Sequence, residues 1–78
     1  MPRFAVRLGN YYEFDGQTAG EVVPEMQRRG NVVVSDEYAY LRKKAESFCE
    51  WSGGYYCFTD RDSFARSMMN NGLLEIVD

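Results

Sequence analysis

GYYCFTDRDSFARSMMNNGLLEIV, residues Gly54–Val77, reads as strand, capped helix and strand in succession. Tyr55 to Phe58 are aromatic or small and apolar, the composition of a pleated and largely buried strand. Thr59 offers a side-chain oxygen and Asp62 follows three residues later, the spacing of a helix start. Asp60 and Asp62 also face the partial positive charge of that end. Phe64, Ala65, Met68 and Met69 then form one apolar stripe, with Arg61, Arg66 and Ser67 off it. Asn70-Asn71-Gly72 tolerates the left-handed backbone with which helices commonly end. Leu73, Leu74, Ile76 and Val77 make a short apolar closing strand. A strand–helix–strand of this length predicts a right-handed parallel crossover, with an antiparallel return as the alternative.

Upstream, Ser35-Asp36 is a helix cap and Glu37–Trp51 the longest helix. Tyr38, Leu41, Ala45, Phe48 and Cys49 fall at helical spacing, while Arg42, Lys43, Lys44, Glu46 and Glu50 populate the other face. Glu46 pairs with Arg42 one turn away, and Ser52-Gly53-Gly54 stops the helix. At the other end of the chain, Phe4, Val6 and Leu8 alternate with Arg3, Ala5 and Arg7, the pattern of a strand with one wet face. Gly9-Asn10 then turns the chain into Tyr11–Phe14 as a hairpin, and Asp15-Gly16 adds another turn. Between these ends, Pro24–Arg29 reads as a short helix with an irregular lead-in, or as a loop. Asn31–Val34 reads as a brief strand. The sum is an α+β fold in a single domain over residues 1–78. It is a two-layer sandwich, a small, mostly antiparallel sheet of three to five strands with two helices on one face. A ferredoxin-like strand order is compatible with the pattern but not required by it.

Seventy-eight residues bury only roughly 60% of the unfolded chain's surface, so the core must be compact. Nine Lys and Arg against twelve Asp and Glu give a net charge of −3, which argues against general binding to a phosphate backbone. Met1–Arg7 has no apolar run of signal-peptide length, and nothing in the chain is long enough to span a bilayer, so a cytoplasmic protein is expected. Cys49 and Cys57 are too few for a disulfide framework; two free thiols are favoured over a bridge. Histidine is absent, which removes the commonest general base and metal ligand. Gly53-Gly54 is a linker and not a phosphate loop, and Asp60-Arg61-Asp62 is capping chemistry before it is a carboxylate pair. No enzyme, cofactor or metal is expected.

Twelve aromatic residues in so short a chain say more. Phe4, Phe48, Phe58 and Phe64 are expected in the core. Adjacent strand residues point to opposite faces, so one of Tyr11/Tyr12 and one of Tyr55/Tyr56 must face away from the helices. Tyrosine brings contact area at low entropic cost, so a sheet face bearing it is a docking surface; the plainer reading is ordinary amphipathic surface. Leu8–Gln27 holds four acids and no base, which disfavours direct nucleic-acid binding. Arg42-Lys43-Lys44 is read as a solvated helix face. Segregated negative charge suits a basic protein partner. The candidate contact residues are therefore Tyr11, Tyr12, Glu13, Asp15, Tyr55, Tyr56, Glu46 and Glu50, in a monomer or homodimer.

The run Trp51–Ala65, an aromatic strand ending in a polar Asp/Arg turn before a helix that opens with a Phe, resembles a pattern of small phage-encoded α+β proteins. In size and acidity the chain resembles the anti-CRISPR proteins, which share no common motif. That resemblance implies a stoichiometric inhibitor in the host cytoplasm, covering a nucleic-acid-binding or nuclease-recruiting surface of a CRISPR effector. A structural or accessory phage protein is the other role the same style implies.

Overall fold

The computed structural model describes residues 1–30 and 34–77. Strands β1 (Arg3–Leu8) and β2 (Asn10–Asp15) form the expected hairpin. Its turn is tighter than the sequence suggests: Asn10 already pairs with Leu8, leaving Gly9 alone at the bend with φ +87°. A 3₁₀ turn (Ala19–Glu21) leads into helix α1 (Val22–Arg29), where Pro24 sits harmlessly in the first turn. Helix α2 spans Glu37–Ser52, helix α3 spans Arg61–Asn70, and strand β3 spans Leu74–Ile76. The expected strand at 31–34 falls almost wholly outside the described residues, and Val34 itself is not in a strand.

The sheet has the order β2-β1-β3 and is antiparallel throughout. The α+β class and the antiparallel sheet are as the sequence predicts, but the route differs. Tyr55–Phe58 is not a strand, so the predicted parallel crossover does not exist. Side chains take the place of a ladder there: Cys57 N–H donates to Ser67 Oγ at 3.0 Å, and Asn71 Nδ2 donates to the Tyr55 carbonyl at 3.2 Å. The Tyr56 ring is drawn in against Phe48 and Phe64, with centroids 5.5 and 6.2 Å away. β3 then returns along the open side of β1, with Arg7 N–H bonding the Leu73 carbonyl and Val77 N–H that of Arg3.

Capping explains where the helices begin and end. Asp36 Oδ1 accepts from Ala39 N–H, as expected, and Gly53 (φ +77°) closes α2 by donating to the Cys49 carbonyl at 2.8 Å. α3 is capped by Asp60 and not by Thr59: Asp60 Oδ1 accepts from Ser63 N–H at 2.8 Å, while the Thr59 hydroxyl meets the Cys57 thiol. Past α3, Leu73 N–H bonds the Met68 carbonyl and Gly72 N–H that of Met69, the paired bonds that settle a helix C-terminus.

Three α-helices among the described residues, the two expected on the sheet and the short one that was read as helix or loop, contribute to the layer on the inner face of the sheet. Phe4, Val6, Phe14 and Leu74 from the strands join Val22, Val23 and Met26 of α1, Leu41, Ala45 and Phe48 of α2, and Phe64, Ala65 and Met68 of α3. Phe58 is only partly buried, with Tyr38 edge-on to it at 5.6 Å. Tyr38 and Cys49 end up exposed, so the buried stripe of α2 is narrower than its sequence implies.

Candidate protein-contact face

β1 is the middle strand, so its outward residues Arg3, Ala5 and Arg7 are flanked by Tyr11, Glu13 and Asp15 of β2 and by Glu75 of β3. Alternation sends these side chains away from the helices, because their neighbours Phe4, Val6, Phe14 and Leu74 line the core. Arg3 Nε donates to Asp15 Oδ1 at 3.0 Å, and its Nη1 lies 3.5 Å from Glu13 Oε1. Arg7 donates through Nε and Nη2 to Glu75 Oε1. Ala5 lies between its register partners Glu13 and Glu75 with an arginine two residues to either side, and this roof leaves it 0% exposed.

The Tyr11 hydroxyl donates to Glu13 Oε2, and the Arg7 guanidinium lies 5.1 Å from the Tyr11 ring centroid. Bonding to the Glu13 carboxylate raises the phenol pKa, so Tyr11 stays a donor. The hydrogen bond and charge of Glu75 raise the Arg7 pKa further above its ordinary value. Ion pairs this exposed add little to stability. Their consequence is an ordered pattern of charge on a rigid sheet. At one end, Met1, Arg3, Glu13, Asp15 and Val77 line an open cleft of about 600 Å³.

Three of the residues singled out in the sequence, Tyr11, Glu13 and Asp15, therefore share this face. Tyr12 is on the opposite side of β2, half-buried, with the Arg29 guanidinium 3.9 Å from its ring centroid; burial raises its phenol pKa. Tyr55 and Tyr56 belong to the segment between α2 and α3 and not to the sheet. Tyr55 is 77% exposed, whereas Tyr56 is 2% exposed and its hydroxyl lies 2.8 Å from Ser52 Oγ, so Tyr56 is a core residue. Glu46 and Glu50 are exposed on α2, with Glu46 3.7 Å from Arg42. Arg3 and Arg7 were expected on the wet side of β1 but not among the contact residues, and Glu75 was not singled out. Arg7 and Glu75 are 68 positions apart, a separation at which no local pattern signals contact.

A second charged cleft, about 410 Å³, forms where the 3₁₀ turn, α2 and α3 begin, lined by Thr18, Gly20, Glu21, Glu37, Asp60, Arg61 and Asp62. Arg61 clamps Glu37 there, with Nη2 2.8 Å and Nε 2.9 Å from Oε1. Cys49 and Cys57 are free thiols. The Thr59 hydroxyl, 3.1 Å from Cys57 Sγ, lowers the pKa of that thiol.

Among the described residues, no three His, Cys, Asp or Glu side chains gather as a metal site requires. No helix among them is long and apolar enough to cross a membrane. Comparison of the chain with protein-family models, curated proteins and solved structures returns no match.

Proposed function

We propose that this chain is a non-catalytic protein-binding inhibitor that docks a basic protein surface onto the outer face of its sheet. The observation that carries this reading is the grouping of Tyr11, Glu13, Asp15 and Glu75 on paired strands. Three carboxylates offer more acceptor sites than the guanidiniums of Arg3 and Arg7 occupy, so an incoming Arg or Lys finds acceptors still open. Met1 and Val77, 81% and 42% exposed, give the aliphatic stem of such a residue an apolar rest beside those carboxylates. The net charge of −3 adds long-range attraction of the same sign.

The concrete form of the proposal is a phage anti-CRISPR protein covering a nucleic-acid-binding or nuclease-recruiting surface of a CRISPR effector, a surface made basic by its own task. Calorimetry of the chain against type I and type II effector complexes tests it. Binding is expected to be stoichiometric, weakened by salt, and lost in Glu13→Lys, Asp15→Lys and Tyr11→Ala variants that keep the native circular dichroism spectrum. Failure to bind any of these complexes removes the anti-CRISPR form. Binding that survives all three substitutions removes the face.

A further inference from the structure

The sheet has two edges, and they are not alike. β3 is three residues long, and an edge that short offers little to a neighbour. β2 is six residues long and pairs with β1 without a bulge. Its sequence, NYYEFD, contains neither Lys nor Pro, the residues that commonly blunt an exposed edge. Along an antiparallel strand the backbone groups of alternate residues point to opposite sides. Gly16 N–H bonds the Pro2 carbonyl, so Asn10, Tyr12 and Phe14 turn their N–H and C=O groups towards β1. Tyr11, Glu13 and Asp15 turn theirs outward. Arg7 N–H and the Arg3 carbonyl, which face β3, keep the same alternation one strand over. Nothing among the described residues bonds the outward groups of β2.

The side chains beside that open edge say which strand fits it. A residue paired with Tyr11, Glu13 or Asp15 puts its own side chain on the outer sheet face, directly beside theirs. Tyr11 is 53% exposed, and the Glu13 and Asp15 side chains are 36% and 55% exposed. A second copy is a poor occupant. The two-fold antiparallel register that overlaps all three residues sets the Glu13 carboxylates of the two copies against each other, and like charges directly opposite are destabilising. β1 shows the converse from the other side of β2. In that strand Arg3 is the register partner of Asp15 and Arg7 of Tyr11, with Ala5 opposite Glu13. Arg3 donates to the Asp15 carboxylate, and the Arg7 guanidinium lies 5.1 Å from the Tyr11 ring centroid. On the inner side of the edge stands half-buried Tyr12, where the charge of Arg29 is met by Glu25 3.6 Å away.

We propose that the β2 edge takes an extended basic segment as an added strand, with Arg or Lys at alternate positions and apolar residues between them. The proposal rests on the reading of the outer face given above and states how that face holds its partner. Main-chain bonds to Tyr11, Glu13 and Asp15 supply affinity, and the side chains of the same residues select for positive charge. The intervening apolar residues fall on the inner side, beside Tyr12.

The test is a titration of the isotopically labelled full chain with a short blocked peptide of alternating arginine and valine, with amide exchange read residue by residue by NMR. Exchange at the Tyr11, Glu13 and Asp15 N–H groups is expected to slow by about tenfold once free peptide stands about tenfold above its Kd. Tyr12 and Phe14, already bonded to β1, are expected to change little. The same peptide N-methylated at the residues that pair with β2 keeps its charge and loses its main-chain donors. It is expected to bind at least about tenfold more weakly, and a peptide of alternating glutamate and valine is expected not to bind. Equal binding of the methylated or the acidic peptide, or binding that leaves those three amides unprotected, overturns strand addition. The outer-face reading then still stands or falls on the Tyr11, Glu13 and Asp15 variants measured against folded complexes. No binding of the basic peptide at millimolar concentration overturns the proposal too. So does protection without peptide that grows with protein concentration, which places a second copy on the edge.

Discussion

Replacing Tyr55 and Tyr56 by alanine, one at a time, compares two identical neighbours that the fold treats oppositely. Tyr56 is 2% exposed, packs on Phe48 and Phe64, and points its hydroxyl at Ser52 Oγ. Removing a buried aromatic side chain costs about 3–5 kcal/mol in transfer and cavity terms together. A chain of this length has a total stability of roughly 4–12 kcal/mol, so Tyr56→Ala removes a large fraction of it. Tyr56→Phe isolates the hydroxyl. Ser52 Oγ keeps its 2.7 Å bond to the Phe48 carbonyl, so no group is orphaned, and the cost stays near the low end of about 0.5–1.5 kcal/mol. Tyr55 is 77% exposed, and Tyr55→Ala is expected to stay within about 0.5 kcal/mol. Urea denaturation followed by circular dichroism measures all three, and thermal melts provide a check at about 4–8 °C per kcal/mol. Equal losses at the two positions, or a larger loss at Tyr55, would refute the packing described.

Two further predictions concern the same segment. Gly54→Ala places a Cβ 1.8 Å from Asn71 Oδ1, displacing a side chain whose Nδ2 bonds the Tyr55 and Ser67 carbonyls. A loss of about 1–2 kcal/mol is expected, and adding Asn71→Ala to that variant should cost little more, as a double-mutant cycle would reveal. Cys57 is held below the ordinary thiol range by the Thr59 hydroxyl, because a hydrogen bond to sulfur favours the thiolate. Thr59→Val therefore raises that pKa, moving the midpoint of the Cys57 alkylation profile to higher pH and slowing the reaction at neutral pH. Site-resolved mass spectrometry reads this, and an unchanged midpoint contradicts the assigned contact.

The candidate face was only half legible in advance. Tyr11, Glu13 and Asp15 could be grouped because strand alternation is a local rule, and a hairpin satisfies it with nearest neighbours in the chain. Arg3 and Arg7 were recognisable as outward-facing, yet their partners were not, since Glu75 comes from the far end of the sequence. The doublet at Tyr55-Tyr56 misled because aromatic composition suits a strand and a packed coil equally well. Three aromatic rings from α2, the coil and α3 make the core contact there, and nothing local records that convergence.

Composition, periodicity and capping chemistry determined the hairpin, the extents of α2 and α3, the apolar stripe of α3 and the α+β class. Each depends on residues within a turn or two of one another, where backbone geometry and hydrogen bonding are local. Tertiary packing alone decided that β3 returns antiparallel beside β1, that Tyr56 turns inward while Tyr55 stays in water, and that Glu75 meets Arg7. These outcomes depend on which surfaces bury together across the whole chain, a competition among distant apolar groups that no short window contains.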